Sequence, residues 1–164
     1  MADGTAAHRV FKVDASAVVI GFGMGGLFDF VVLHAVLQWH HMVSNRVPPN
    51  YLSALQYNVF WDGIGEMLMW LIVMGGLLLL CHAIRRHALV PTTTRLVGLL
   101  ILGWGAFNLV DAVFNHHVFA LHNVRDDVAD KALWNLGFLV IGGIVQPAVG
   151  WLIARAARPC YERP

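Results

Sequence analysis

GLFDFVVLHAVLQWHH, residues 26–41, carries one carboxylate and three imidazoles through an otherwise apolar run. NLVDAVFNHHVFALH, residues 108–122, repeats the pattern: Asp29, His34 and His40 recur at the same spacing as Asp111, His116 and His122. Ionisable groups are expensive inside a bilayer and mark sites that bind ions or relay protons. A doubled Asp-x4-His-x5-His within apolar sequence therefore predicts a membrane protein with a metal site.

The composition agrees with the membrane half of that reading. Of the 164 residues 58% are hydrophobic and 13% charged, with a mean hydropathy of +0.64, too little polar surface to cover a soluble domain. A bilayer core takes about 20 apolar residues per helix, and four stretches qualify, roughly 17–42, 57–82, 96–120 and 133–156. The expectation is a single all-α transmembrane domain over residues 1–164, folded as a four-helix bundle. The first run lacks an Ala-x-Ala site near its end and reads as a retained helix, not a cleaved signal. A net charge of +1, with basic residues scattered among short connections, argues against a nucleic-acid partner.

Lys and Arg set the orientation. Arg9 and Lys12 precede helix 1, Arg85, Arg86 and Arg95 lie between helices 2 and 3, and Arg155, Arg158 and Arg163 follow helix 4. By the positive-inside rule both termini face the cytoplasm, which in a bacterium makes this a multi-pass inner-membrane protein. Trp39, Trp61 and Trp134 then share the outer, periplasmic interface as an aromatic belt. Cys81 and Cys160 fall on the reducing inner side, outside any Cys-x-x-Cys, so no structural disulfide is expected.

In this topology His34, His40, His41, His116, His117 and His122 gather in the outer leaflet, and Asp62 and Glu66 begin helix 2 at the same level. His8, His82 and His87 stay on the inner side. Helix 2 opens with Trp61-Asp62 and helix 4 with Trp134-Asn135, so the chain reads as two parallel helix-hairpin repeats, with helices 1 and 3 facing each other across the bundle. At 100° per residue His34, Gln38 and His41 form one stripe of helix 1, and Asn108, Asp111, Asn115 and His122 form one of helix 3. The eleven residues separating Asp29 from His40, and Asp111 from His122, span about 16 Å of helix. On that geometry neither Asp shares an ion directly with the distant His, and the site is either two stacked centres or one centre with orienting carboxylates.

Other features have plainer explanations. Gly21-Phe22-Gly23-Met24-Gly25-Gly26 matches a dinucleotide fingerprint, but it lies inside helix 1 without a preceding strand, so close helix packing explains it better. The methionines are ordinary apolar filler. Pro147 beside Gln146 predicts a kink in helix 4.

The combination GFGMGGLFDFVVLHAVLQWHHM, WDGIGEMLMW and FNLVDAVFNHHVFALHNVR resembles a bacterial family of predicted four-helix membrane proteins over nearly the whole chain. The resemblance implies the fold and carries no residue role with it. His34-x5-His40-His41 and His116-His117-x4-His122 also look like the histidine boxes of membrane di-iron desaturases and hydroxylases, which would imply a di-iron oxidoreductase.

Imidazole with carboxylate and no thiolate suits copper, iron or zinc, and an outward-facing site favours copper. The leading expectation is a copper protein with ligands among His34, His40, His41, His116, His117, His122, Asp29 and Asp111. It would serve oxidation chemistry, with Asp62 or Glu66 handling protons, or deliver copper to a respiratory oxidase or redox partner. Two alternatives remain open: a b-type haem protein with axial histidines from helices 1 and 3, and a proton or cation pathway that homo-oligomerisation would enlarge.

Overall fold

The computed structural model describes residues 2–87, 89–158 and 160–162, and the side chains of residues 10–85 and 90–158. Helix α1, Ala2–Phe28, continues as a π-helix over Asp29–Val36; α2 is Leu52–His87; α3, Thr93–Asp111, continues as a π-helix over Ala112–Val118. The last span is α4, Lys131–Phe138, a π-helical stretch Leu139–Val145, and α5, Gln146–Ala156. Four spans result, Val10–Val36, Leu52–Arg85, Thr93–Val118 and Lys131–Ala156, each long and apolar enough to cross a bilayer. Strands β1, Leu89–Pro91, and β2, Cys160–Glu162, pair antiparallel and tie the connection between the second and third spans to the C-terminal segment.

The first and third spans form the centre. They face each other as expected and pack directly, with the second span on the outer side of the first and the fourth on the outer side of the third. Small residues permit the approach. A Cβ on Gly21 would collide with the Leu100 backbone and one on Gly103 with the Val18 carbonyl. Gly21 and Gly25 thus face the third span while Gly23 and Gly26 face Met69 and Val73 of the second, so the glycine run serves two helix contacts at once. Phe30, Met69 and Phe107 fill the core beneath the polar residues, and Ala17, Leu99 and Ala154 fill it towards the other end. There Arg95 pairs with Asp14 through both its Nε and Nη2 and donates from Nη1 to the Ala154 carbonyl at 2.8 Å, joining three spans.

Two boundaries differ from expectation in a way that matters. The first helix stops at Val36, short of residue 42, and the third at Val118. Just beyond, Gln38 and Ala120 take left-handed backbone conformations, φ 50° and 46°. Such a residue ends a right-handed helix and reverses the chain. In the fourth span the proline lies at the start of α5, after the π-helical stretch, consistent with a ring that cannot donate to the helical ladder. Of the basic residues expected on the inner side, Arg9, Arg86 and Arg163 lie outside the described side chains, as do His8, His87 and Cys160.

Gly63 faces open space on the second span. Gly63→Ala should therefore raise stability by about 0.5–1 kcal/mol, through reduced freedom of the unfolded chain and better helix propensity. A detergent unfolding titration of the two proteins would check this.

Candidate metal centre

The π-helical turns bring each Asp to its His. In an α-helix residues five apart point about 140° away from each other. A π-helix closes i→i+5 bonds and swings them towards one face. Accordingly Asp29 Oδ2 lies 3.1 Å from His34 Nε2, and Asp111 Oδ2 lies 3.1 Å from His116 Nε2. Neither pair is aligned as a hydrogen bond, because His34 Nε2, Asp111 Oδ2 and His116 Nε2 all lack a hydrogen-bond partner.

The left-handed turns bring back His40 and His122. Each loop descends onto the helix ends, and the two clasp each other. His40 Nδ1 donates to the Val124 carbonyl at 2.8 Å, and His122 Nδ1 donates to the Met42 carbonyl at 3.0 Å. Their rings stack at 4.5 Å, 19° from parallel. The clasp is reinforced by Asn45 N–H donating to the Leu121 carbonyl and Asp126 N–H to that of Trp39, at 2.9 and 2.8 Å. Asn58, fully buried, accepts from Val43 N–H at 3.2 Å, and Asn135 accepts from Val124 N–H at 2.9 Å. The reading that Asp111 and His122 are too far apart for a shared ion is thereby overturned: His122 Nε2 is 3.8 Å from Asp111 Oδ1. It assumed one continuous helix, and the chain folds back.

Asp62 organises the near side. Its Oδ1 accepts from His34 Nδ1 at 2.7 Å and from Met42 N–H at 2.7 Å, and its Oδ2 accepts from His41 Nδ1 at 2.6 Å. A carboxylate bonded to two imidazoles fixes their orientation and tautomer. Glu66 points outward on the second span, exposed and away from the cluster, and His117 is likewise exposed, its Nδ1 donating to the Ala112 carbonyl at 2.7 Å. His82 is also exposed. The structure thus brings together His34, His40, His41, His116, His122, Asp29, Asp62 and Asp111, and leaves out His117 and Glu66. Sequence reasoning passed over Asn58 as a loop anchor, and nothing in its residue type announces the role.

The electrostatics of the cluster are those of groups that could hold a cation. Carbonyl oxygens only accept, so His40 and His122 each carry their proton on Nδ1 and present a bare lone pair at Nε2. Both Nε2 atoms are buried without a partner. Burial above all, with the neighbouring imidazoles of His122 and His34, holds His40 well below its ordinary pKa; burial also lowers that of His122, against the pull of Asp111. Both rings therefore stay neutral. Ring nitrogens of His34, His40 and His122 lie within 4.8 Å of one another, and a second set, Asp111, His116 and His122, is as compact. The third compact set, His34, His41 and Asp62, is the hydrogen-bonded support. Lone pairs gathered out of water without donors repel each other unless a cation sits among them. Asp62→Asn would leave one imidazole without its acceptor, and metal affinity should fall 10- to 100-fold, as for other orienting partners, measured by competition with a chelator.

Two cavities meet this cluster. On the loop side one of about 550 Å³ is lined by His40 and His41 together with Asp126, Asp127 and Lys131. From the bilayer side a cleft of about 620 Å³ reaches Asp29. No curated protein and no solved structure matches the chain. The model of one family, described as predicted membrane protein (DUF2243), matches residues 16–157, and with four apolar spans and a buried His/Asp cluster the chain belongs to that family of membrane proteins.

Proposed function

We propose that the protein holds one copper ion in the cluster, with His34, His40 and His122 as its principal ligands and Asp111 alongside, and that the ion serves oxidation chemistry. The observation that carries this reading is the unpartnered Nε2 on each of those three buried rings, with every Nδ1 already taken. A single ion follows from His122. It belongs to both compact sets, yet has one nitrogen to offer, so it cannot bridge two metals.

The donor set supports copper. It is imidazole and carboxylate, to which copper binds most tightly among the first-row divalent ions. The orphan nitrogens are enclosed, with His34, His40 and His122 1–2% exposed, which suits a resident ion better than one handed to a respiratory oxidase. Rings stacked at 4.5 Å leave no slot for a porphyrin, so the packing favours a bare ion over haem. Bound there, copper would supply one-electron redox chemistry. The chain itself holds the ion, keeps water from it and fixes its ligands. The outer cavity lined by His40 and His41 would load it from the periplasmic side of a bacterial inner membrane. The charge pattern of the connections supports that orientation, although Arg95 is neutralised by Asp14. The equal 3.1 Å Asp–His approaches and the reciprocal bonds of His40 to Val124 and His122 to Met42 suit an origin in two helix-hairpin repeats.

Elemental analysis and electron paramagnetic resonance of detergent-purified protein should show one copper per chain with nitrogen hyperfine structure. Stoichiometric zinc or iron in its place would retain the site and change the metal. Absence of any transition metal after incubation with copper would remove the proposal.

A further inference from the structure

The first and fourth spans make no extensive contact among the described residues, and a cleft of about 620 Å³ fills the gap between them. It opens sideways towards lipid, past Phe28 and Ile141, which are 44% and 69% exposed. Its walls are aromatic. Phe28 and Trp104 meet at 4.9 Å on one side, and Trp39 and Trp134 at 5.5 Å near the mouth, under the Arg125 guanidinium. Its floor is polar. Asn108 Nδ2 donates to Gln146 Oε1 at 3.0 Å, which leaves the Gln146 amide donors with no protein partner. Beside them is Asp29, 4% exposed, whose only close partner is His34.

A lipid tail fills an apolar groove and has no use for such a floor. A ligand that accepts from the free Gln146 amide and donates to Asp29 gains both affinity and orientation there. The volume is that of a small-molecule site. We propose that this cleft binds a membrane-dissolved quinone or quinol. The ring lies between the aromatic walls. In the quinol one hydroxyl donates to the Asp29 carboxylate and accepts from the Gln146 amide; in the quinone the carbonyl accepts from Gln146, and in both the alkyl tail leaves through the lateral opening. Asp29 then touches the ligand on one side and His34 on the other, placing the ligand beside the proposed ion. The binding site rests on the cleft alone and does not require the ion.

The probe is a decyl-substituted benzoquinone titrated into protein in lipid nanodiscs, read by quenching of tryptophan fluorescence. Gly137 lines the cleft and a Cβ there meets nothing within 4 Å, so Gly137→Leu fills the space without disturbing the fold. The matched control is Gly63→Leu, also in open space but on the lipid face of the second span. Wild type and Gly63→Leu should quench saturably. Gly137→Leu should weaken binding by about tenfold or more, and Gln146→Leu should weaken it while decanol fails to compete. Linear quenching equal in all variants would mean simple partitioning and overturn the proposal. Effective competition by decanol would make the cleft a lipid groove and overturn it as well. Copper content is measured on the same samples. Absence of saturable quenching in copper-loaded wild type rejects the cleft alone, and saturable quenching in wild type that takes up no copper rejects the metal reading alone.

Discussion

His122→Ala is expected to abolish copper binding. This ring belongs to both compact donor sets, its Nδ1 is fixed by the Met42 carbonyl, and its Nε2 is a buried lone pair. Removing an orienting partner costs 10- to 100-fold in affinity, and removing a ligand shared by the two sets that offer unpartnered ring nitrogens should cost more, so copper should fall to background under a mild chelator. The variant also orphans the Met42 carbonyl, at about 1–3 kcal/mol, so its metal-free stability is measured alongside. His117→Ala provides the contrast. That side chain is exposed and engaged with its own helix, and the variant should keep one equivalent of copper. Equal loss in both variants, or full retention in His122→Ala, would be incompatible with the proposed ligand set.

Gly103→Leu should cost about 3 kcal/mol or more and empty the metal site. A Cβ at this position runs into the Val18 carbonyl and lies 2.8 Å from Phe22 N. These are backbone atoms that no rotamer change can move. The first and third spans would have to separate, and His34 and His40 come with one while His116 and His122 come with the other. Stability and copper content should therefore fall together, as read by reversible unfolding in mixed micelles and elemental analysis. Gly63→Leu, which meets nothing, should lower neither. Wild-type stability in Gly103→Leu would mean that the two central spans are not in the contact described.

Much of this was legible from residue types. Spans of about 20 apolar residues are a thermodynamic requirement of the bilayer, so composition alone predicted four of them. The buried carboxylates and imidazoles marked the place of the site because few other residues in an apolar run demand a partner. Asp29, His34, His40, His41, His116 and His122 were all singled out, and all fall in or against the cluster. Asp62 reads from the sequence as a proton carrier, and its bonds to the rings of His34 and His41 depend on where two other chain segments end. His117 and Glu66 were drawn in by proximity along the chain, and helical phase turned both outward.

What the sequence by itself determined is a membrane protein of four apolar spans with a polar cluster near one side, since hydrophobic length and the cost of buried charge are properties of composition. What only the tertiary structure decided is how that cluster closes. The Asp-x4-His spacing is meaningless on an α-helix, where the two side chains diverge, and becomes a contact only because each helix widens to π geometry at that point. His40 and His122 reach the site because the chain reverses at Gln38 and Ala120, residues with no intrinsic preference for the left-handed region. Local propensity opposes both features. The mutual clasp of the two loops, His40 on Val124 and His122 on Met42, satisfies polar groups that would otherwise be buried alone, and that long-range gain holds the strained turns in place.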